Sequence, residues 1–384
     1  MKSKFSPLSF LAAVGAGGIS IVPFAFFNYT VPHGKGLVKY TDIASLHGPT
    51  WQSALHFSLE AVMVVFATLH ILLLLSLLGR FFGFLRSEDY PTLMDNPLKN
   101  NSILTPFIAV AMTMNVLIGP VRFFVPALSQ NLQAMMIPAL AVWLILLFAF
   151  LRLEMRVLKS AFVKPVHLAQ VGFGWLLDVF ALSMLAVTGS GIAALAKVPT
   201  TAHIAAFFSL MAATMALFLF GIKIVLVFQK YFADSALPEK QFLPSFLNIV
   251  PAATLLSITF FRIGHYLENQ HGQHLDWYFT LLITAAFAFE TWYLIFGLYL
   301  LKDYFKKQHF EREFLPTQWA LICPFVAYGV LGSFVYSVFV PSPILMVIIL
   351  ISLATSILLF IDLLVRHLKC HHSNKDNGMS CAEI

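Results

Sequence analysis

Polar and charged residues in this chain are gathered into short clusters, and the stretches between the clusters are almost wholly apolar. One membrane crossing needs about 20 apolar residues. Ten segments meet that length, at 8–29, 52–79, 103–126, 132–151, 166–195, 200–228, 243–266, 276–301, 315–339 and 341–365. The pattern predicts an all-α membrane protein of ten transmembrane helices spanning 1–366, followed by a disordered tail at 367–384. Connections alternate between charged loops of 10 to 23 residues and very short ones at 127–131, 196–199 and 340, so the crossings are expected to form five helical hairpins. The first run follows Lys2 and Lys4, exceeds a signal-peptide core in length and has no small-residue cleavage site, so it is read as helix 1.

Composition agrees with this reading. Hydrophobic residues make up 59% and charged residues 11%, with 39 phenylalanines, well outside the range of soluble domains. Eighteen basic residues fall on the side of the amino terminus (Lys2, Lys4, Arg80, Arg86, Lys99, Arg152, Arg156, Lys159, Lys164, Lys230, Lys240, Lys302, Lys306, Lys307, Arg312, Arg366, Lys369 and Lys375) and three on the other (Lys35, Lys39 and Lys197). The positive-inside rule then places both termini in the cytoplasm, in a multi-pass protein of the cytoplasmic membrane. The net charge of +6 is accounted for by topology, and no nucleic-acid partner is implied. Three cysteines cannot build a disulfide framework. Cys370, His371, His372 and Cys381 in the tail could offer soft-metal ligands, but their spacing is not that of a zinc site, and no metal or cofactor is assigned.

The ten segments differ by parity. Gly15, Gly17, Gly18 and Pro23 fall in the first, Pro106, Gly119 and Pro120 in the third, Gly172 and Gly174 in the fifth, Pro244 and Pro251 in the seventh, and Pro316, Pro324, Gly329 and Gly332 in the ninth. The even segments are mostly Leu, Phe, Ala and Val, with Pro138 the main exception. A proline inside a membrane helix frees carbonyls and is tolerated where neighbouring helices or a wet cavity supply partners. Kinks are therefore expected at Pro23, Pro120, Pro251 and Pro324. The odd helices are expected to form an inner ring around a central pore, with the even helices as an outer ring. Two internal matches support a repeat: FLPSFLNIVPAA at 242–253 with FLPTQWALICPFVA at 314–327, and GPVRFF at 119–124 with TFFRIGH at 259–265.

The opening SPLSFLAAVGAGGIS, the odd-segment prolines and the proline–tryptophan–proline pattern of the ninth segment resemble the tellurite-resistance and C4-dicarboxylate transporter family, which includes the slow-type anion channels of plants. Within it, the opening is similar to a bacterial subgroup with some selenoprotein members. The resemblance covers all ten segments in number and order and is specific in the first, seventh and ninth. It implies a quasi-fivefold bundle with a pore through each protomer, a small inorganic or organic anion as the permeant species, and a homotrimer in the bilayer. In the channel members a phenylalanine before the ninth-helix proline plugs the pore. Here that position is Cys323, with Phe325 just after Pro324, so Phe325, another aromatic or the thiol itself must form the constriction.

An ionisable side chain at bilayer depth costs about 2.5–3.5 kcal/mol on insertion scales and asks for a partner or a role. Arg122 and Arg262 lie near the outer ends of the third and seventh helices, with His265 one turn beyond Arg262. They would concentrate anions at an outer mouth, or else snorkel or pair with Glu60. Asp178 shares a face with Gly174 and would repel anions if ionised in a pore, whereas a proton-coupled carrier would use it as its protonatable group. Glu290 reads as a structural polar contact, and Lys223 and Asp362 as snorkelling residues. His56 and His70 are 14 residues apart on one face, a haem-like spacing, but no second helix supplies a matching pair, His167 and His203 being single. Phosphate-loop and HExxH motifs are absent from the sequence, so an enzyme is not expected.

These residues point to a passive anion channel or channel-like uniporter, with Arg122, Arg262 and His265 at the outer mouth and Phe325, Cys323 and Pro324 at the constriction. A proton-coupled carrier of organic or chalcogen oxyanions using Asp178 is the first alternative, and a membrane redox or thiol-handling protein built on Cys323 the second.

Overall fold

The computed structural model describes residues 5–34, 36–166, 170–234, 242–309 and 314–377. Lys2, Lys4, Lys35, His167, Lys240, Arg312 and Cys381, together with the side chains of Cys370, His371 and His372, lie outside the described residues. Among the described residues there are no strands. Ten helices are long and apolar enough to cross a membrane: α1 (Pro7–Thr30), α2 (Trp51–Phe84), α3 (Asn100–Phe124), α4 (Leu132–Val163), α5 (Phe173–Leu195), α6 (Pro199–Ala233), α7 (Leu243–His271), α8 (Asp276–Leu300), α9 (Pro316–Val338) and α10 (Pro343–Lys369). The chain is a multi-pass membrane protein.

Several boundaries move from their expected places. Helix α4 continues to Val163 although the apolar run stops before Arg152, because Arg156, Lys159 and their neighbours are good helix formers and no proline intervenes before Pro165. The helix containing α10 likewise runs Pro343–Asn377, past residue 366 where a disordered tail was expected to begin. Helix α5 starts at Phe173, not at 166. Gly172, just before it, is extended.

All five odd helices share one feature that hydropathy does not reveal. Each begins with a 3-10 turn, at Pro7–Ser9, Asn100–Leu104, Phe173–Leu176, Leu243–Asn248 and Pro316–Leu321, before continuing as α-helix. The even helices begin directly as α-helix. The proline expectations divide along the same line. Pro23 lies inside the α-helix of α1 and Pro120 inside a π turn at Leu117–Val121 of α3. Pro251 and Pro324 instead stand in the first turn after a 3-10 segment, at the starts of Ile249–His271 and Ile322–Val338. There the hydrogen-bond register is already changing from three residues to four, so a missing N–H costs least.

Packing separates the helices by parity. Helix α1 contacts α3, α3 contacts α5, α5 contacts α7, α7 contacts α9 and α9 contacts α1. Their five 3-10 turns touch one another in the same order. In their most apolar windows the odd helices are 67–94% buried and the even helices only 28–33%. The even helices expose Leu72, Leu75, Ile145, Phe207, Leu281, Ile295 and Ile351, a surface suited to lipid tails. Trp51 and Trp277 at one end, and Phe162, Phe232 and Tyr299 at the other, are exposed aromatics near the helix ends, where membrane helices are enriched in aromatic residues.

The tightest approach is at Gly189 of α5. A Cβ there would lie 2.1 Å from the Trp143 ring of α4 and 2.4 Å from Ser209 Oγ of α6, and Trp143 Nε1 donates to Leu185 O at 2.9 Å. Gly189→Leu is therefore expected to lower stability by about 1–3 kcal/mol or more through overpacking. Gly79→Leu, at an exposed site with nothing within 4 Å, should leave it nearly unchanged. Thermal unfolding of both variants in detergent checks this.

Candidate functional site

A cavity of about 450 Å³ runs along the bundle and takes its walls from all five odd helices, with Gly36 and Leu37 of the α1–α2 connection at one end. No even helix contributes a lining residue. The lining residues nearest the amino-terminal ends of the odd helices are Val14, Met112, Phe180, Pro251 and Cys323, one from each. Towards the other end the wall includes Asn28, Tyr29, Leu195, Arg262, His265, Asn269 and Phe334. Small residues, Gly18, Ala25, Gly119, Gly191, Ala194 and Ala327, open the space between.

The expected site residues separate sharply. Cys323 borders the cavity, whereas Pro324 and Phe325 are buried beside it and are not part of its wall. Arg262 and His265 line the cavity together, but Arg122 does not. The Arg122 guanidinium is 1% exposed. It donates from Nη2 to Val38 O at 2.7 Å and from Nε to Ile118 O at 2.9 Å, with its carbon 6.0 Å from the Phe24 ring centre. Ile118 belongs to the π turn around Pro120, so Arg122 supplies the donor that this irregular backbone needs. Glu60 pairs not with an arginine but with His47, at 3.3 Å.

Asp178 likewise does not face the cavity. With α5 beginning at Phe173, it sits in the first α-helical turn, fully buried, and is ion-paired with Lys223 of α6. Lys223 also donates to Trp175 O at 3.1 Å and lies 4.6 Å from the Trp175 ring centre. Glu154 of α4 interacts electrostatically with both members of the pair, and its two carboxyl oxygens are buried with no hydrogen-bond partner among the described residues. The snorkelling assigned to Lys223 from its position is thus replaced by an inward ion pair. Glu290 accepts from the Thr254 hydroxyl, and Thr254 borders the cavity. His70 Nδ1 donates to Ala13 O at 2.7 Å and its Nε2 lies 2.8 Å from Thr113 Oγ1, which commits both ring nitrogens to packing. Among the described residues no group of three or more His, Cys, Asp or Glu is placed to hold a metal ion.

The charge balance of the cavity is simple. Among the described residues its lining contains one arginine, no lysine and no carboxylate. The Arg262 Nη1 donates to Val187 O at 2.8 Å, where Gly191 leaves room for it. His265 Nδ1 lies 2.9 Å from Glu268. Asn115 Nδ2 donates to Thr188 Oγ1 at 2.9 Å. Tyr29, Asn28, Asn115, Thr188 and Asn269 escaped sequence reasoning, since isolated uncharged polar residues in apolar runs carry no periodic signal.

The chain matches no protein-family model, and no curated protein is significantly similar to it.

Breaking a buried ion pair from one side costs about 3–5 kcal/mol, whereas removing both partners is often near neutral. Lys223→Met should therefore depress the unfolding temperature strongly. Lys223→Met with Asp178→Asn should recover most of the loss. Equal destabilisation of the single and double variants in a melting series would contradict the pairing.

Proposed function

We propose that this protein is a passive anion channel or channel-like uniporter, in which the odd helices form an inner ring around an axial path and the even helices shield it from lipid. The observation that carries the reading is the cavity itself, shared by five helices and holding one guanidinium and no carboxylate among its lining residues. A lone cation between low-dielectric walls attracts anions and repels cations. The resemblance to the slow-type anion channels supports the same assignment and implies a trimer. With the basic loops in the cytoplasm, the Arg262 end of the cavity faces outward. The narrow floor is then assigned to Phe180 and Cys323, with the buried 3-10 turns closing the cytoplasmic side.

One observation favours a second reading, a proton-coupled carrier, although not through Asp178. Glu290 reaches the cavity wall through the hydroxyl of Thr254, and its Oε2 has no partner among the described residues. A carrier's flux would follow the proton gradient and fail in Glu290→Gln. A channel's current would be ohmic and indifferent to that gradient.

Planar-bilayer recordings under anion gradients test the first reading. Reversal potentials should follow the anion. Arg262→Gln should reduce conductance about tenfold, equivalent to about 1.4 kcal/mol, and Phe180→Ala should raise it by a similar factor. Arg122→Gln should lower the yield of folded protein, because it uncaps two carbonyls. Cation-selective current, or an unchanged conductance in Arg262→Gln, would overturn the assignment.

A further inference from the structure

The charged side chain of the cavity wall lies at one end. Arg262 uses Nη1 on Val187 O, and its guanidinium has further N–H donors in a planar fork suited to a carboxylate. Tyr29 interacts electrostatically with Arg262. Its ring packs on Phe334 with centres 4.0 Å apart, and no hydrogen bond to its hydroxyl is found among the described residues. A charged head group placed there would meet a guanidinium and a free phenol.

Below this end the wall changes character. Ile258 and Leu255 follow Arg262 down α7, opposite Met184, Ile21, Val326 and Val330. The side-chain donors at this depth are already used: Asn115 Nδ2 donates to Ala111 O and Thr188 Oγ1, Thr188 donates to Met184 O at 2.8 Å, and Thr254 donates to Glu290. Arg262 and Pro251 are eleven residues apart on one helix, so the apolar well is about 16 Å deep at 1.5 Å per residue. A cavity of about 450 Å³ falls in the range that encloses a small organic molecule.

These features discriminate among anions. A dianion would place its second charge in the well, where no cation among the described residues lines the wall, and an unpaired buried charge is strongly unfavourable. An inorganic monoanion would engage Arg262 and leave the well without a fitting occupant. We propose that the cavity is a binding site for a monovalent organic anion with an apolar body, an alkyl or aryl monocarboxylate, whose carboxylate is held by Arg262 and Tyr29 and whose body fills the well above Cys323. This proposal rests on the anion-passage reading and narrows its substrate class.

The test uses the full chain in lipid nanodiscs with radiolabelled octanoate. Saturable binding is expected, with succinate and chloride competing at least tenfold more weakly than unlabelled octanoate. Arg262→Gln should abolish the saturable component and leave only partition into lipid, while Arg262→Lys, judged folded by its melting curve, should retain part of it. Ile258→Asn, judged folded by its melting curve, should weaken octanoate binding at least tenfold. Succinate competing as well as octanoate, or saturable binding that survives Arg262→Gln, would overturn the proposal. Absence of octanoate binding in a protein that still carries chloride current would overturn this assignment alone. Saturable, Arg262-dependent binding without any anion current would uphold the site and overturn the channel reading.

Discussion

In a bilayer, a carbonyl that leaves the α-helical ladder finds no water, so another protein group must reach it. This bundle departs from the α-helix at the start of every odd helix and again at Pro120. Side-chain donors meet at least four of these six departures. Thr105 reaches Pro7 O, Asn101 and Lys223 reach Trp175 O, Tyr293 reaches Phe246 O, and Arg122 reaches Ile118 O. Without these donors each carbonyl would pay the desolvation cost of an unmade bond, about 1–3 kcal/mol. Irregular backbone therefore has to lie inside the bundle, and regular helices have to lie outside it. The division into buried odd and exposed even helices follows from that requirement.

The same requirement explains why charges that look alike in sequence have different surroundings. Arg122, Lys223 and Arg262 all donate to main-chain carbonyls. Arg122 spends its donors on two carbonyls and is enclosed. Lys223 has Asp178 as a counter-ion and Trp175 as both carbonyl and ring partner. Arg262 alone among the three borders the cavity.

The ten crossings are legible in the sequence because twenty apolar residues in a row have one common use. The parity of the helices is legible too, since proline and glycine are disfavoured in lipid-facing helix and gather where the structure buries them. The starts of the odd helices are not legible. A 3-10 turn such as Phe173–Leu176 has no hydrophobic period of its own, and the mostly apolar stretch VHLAQV at 166–171 before it reads as part of the same crossing. The error at α5 displaced Asp178 from the first turn to mid-membrane and hid its pairing with Lys223. GPVRFF and TFFRIGH likewise place two arginines at matching depths, yet only three-dimensional packing shows that the loop carbonyl of Val38 claims one of them. Phe325 stands next to a proline, but two residues along a helix turn a side chain by about 200°. Cys323 and Phe325 cannot both face the axis, and the smaller one does.

The position of the cavity follows from the placement of bulk along the odd helices. Near their amino-terminal ends Phe173, Leu176, Phe246, Leu247, Trp319 and Leu321 are buried in and around the 3-10 turns, with the Phe173 and Phe246 ring centres 4.8 Å apart. Further along, glycines and alanines take over the axial positions, and space opens where side chains are too small to meet. Void and closure are therefore made by the same five helices at different heights. The rings that fill the closed end also pack the 3-10 turns against one another. Any opening of a path at this end would have to disturb contacts that stabilise the fold.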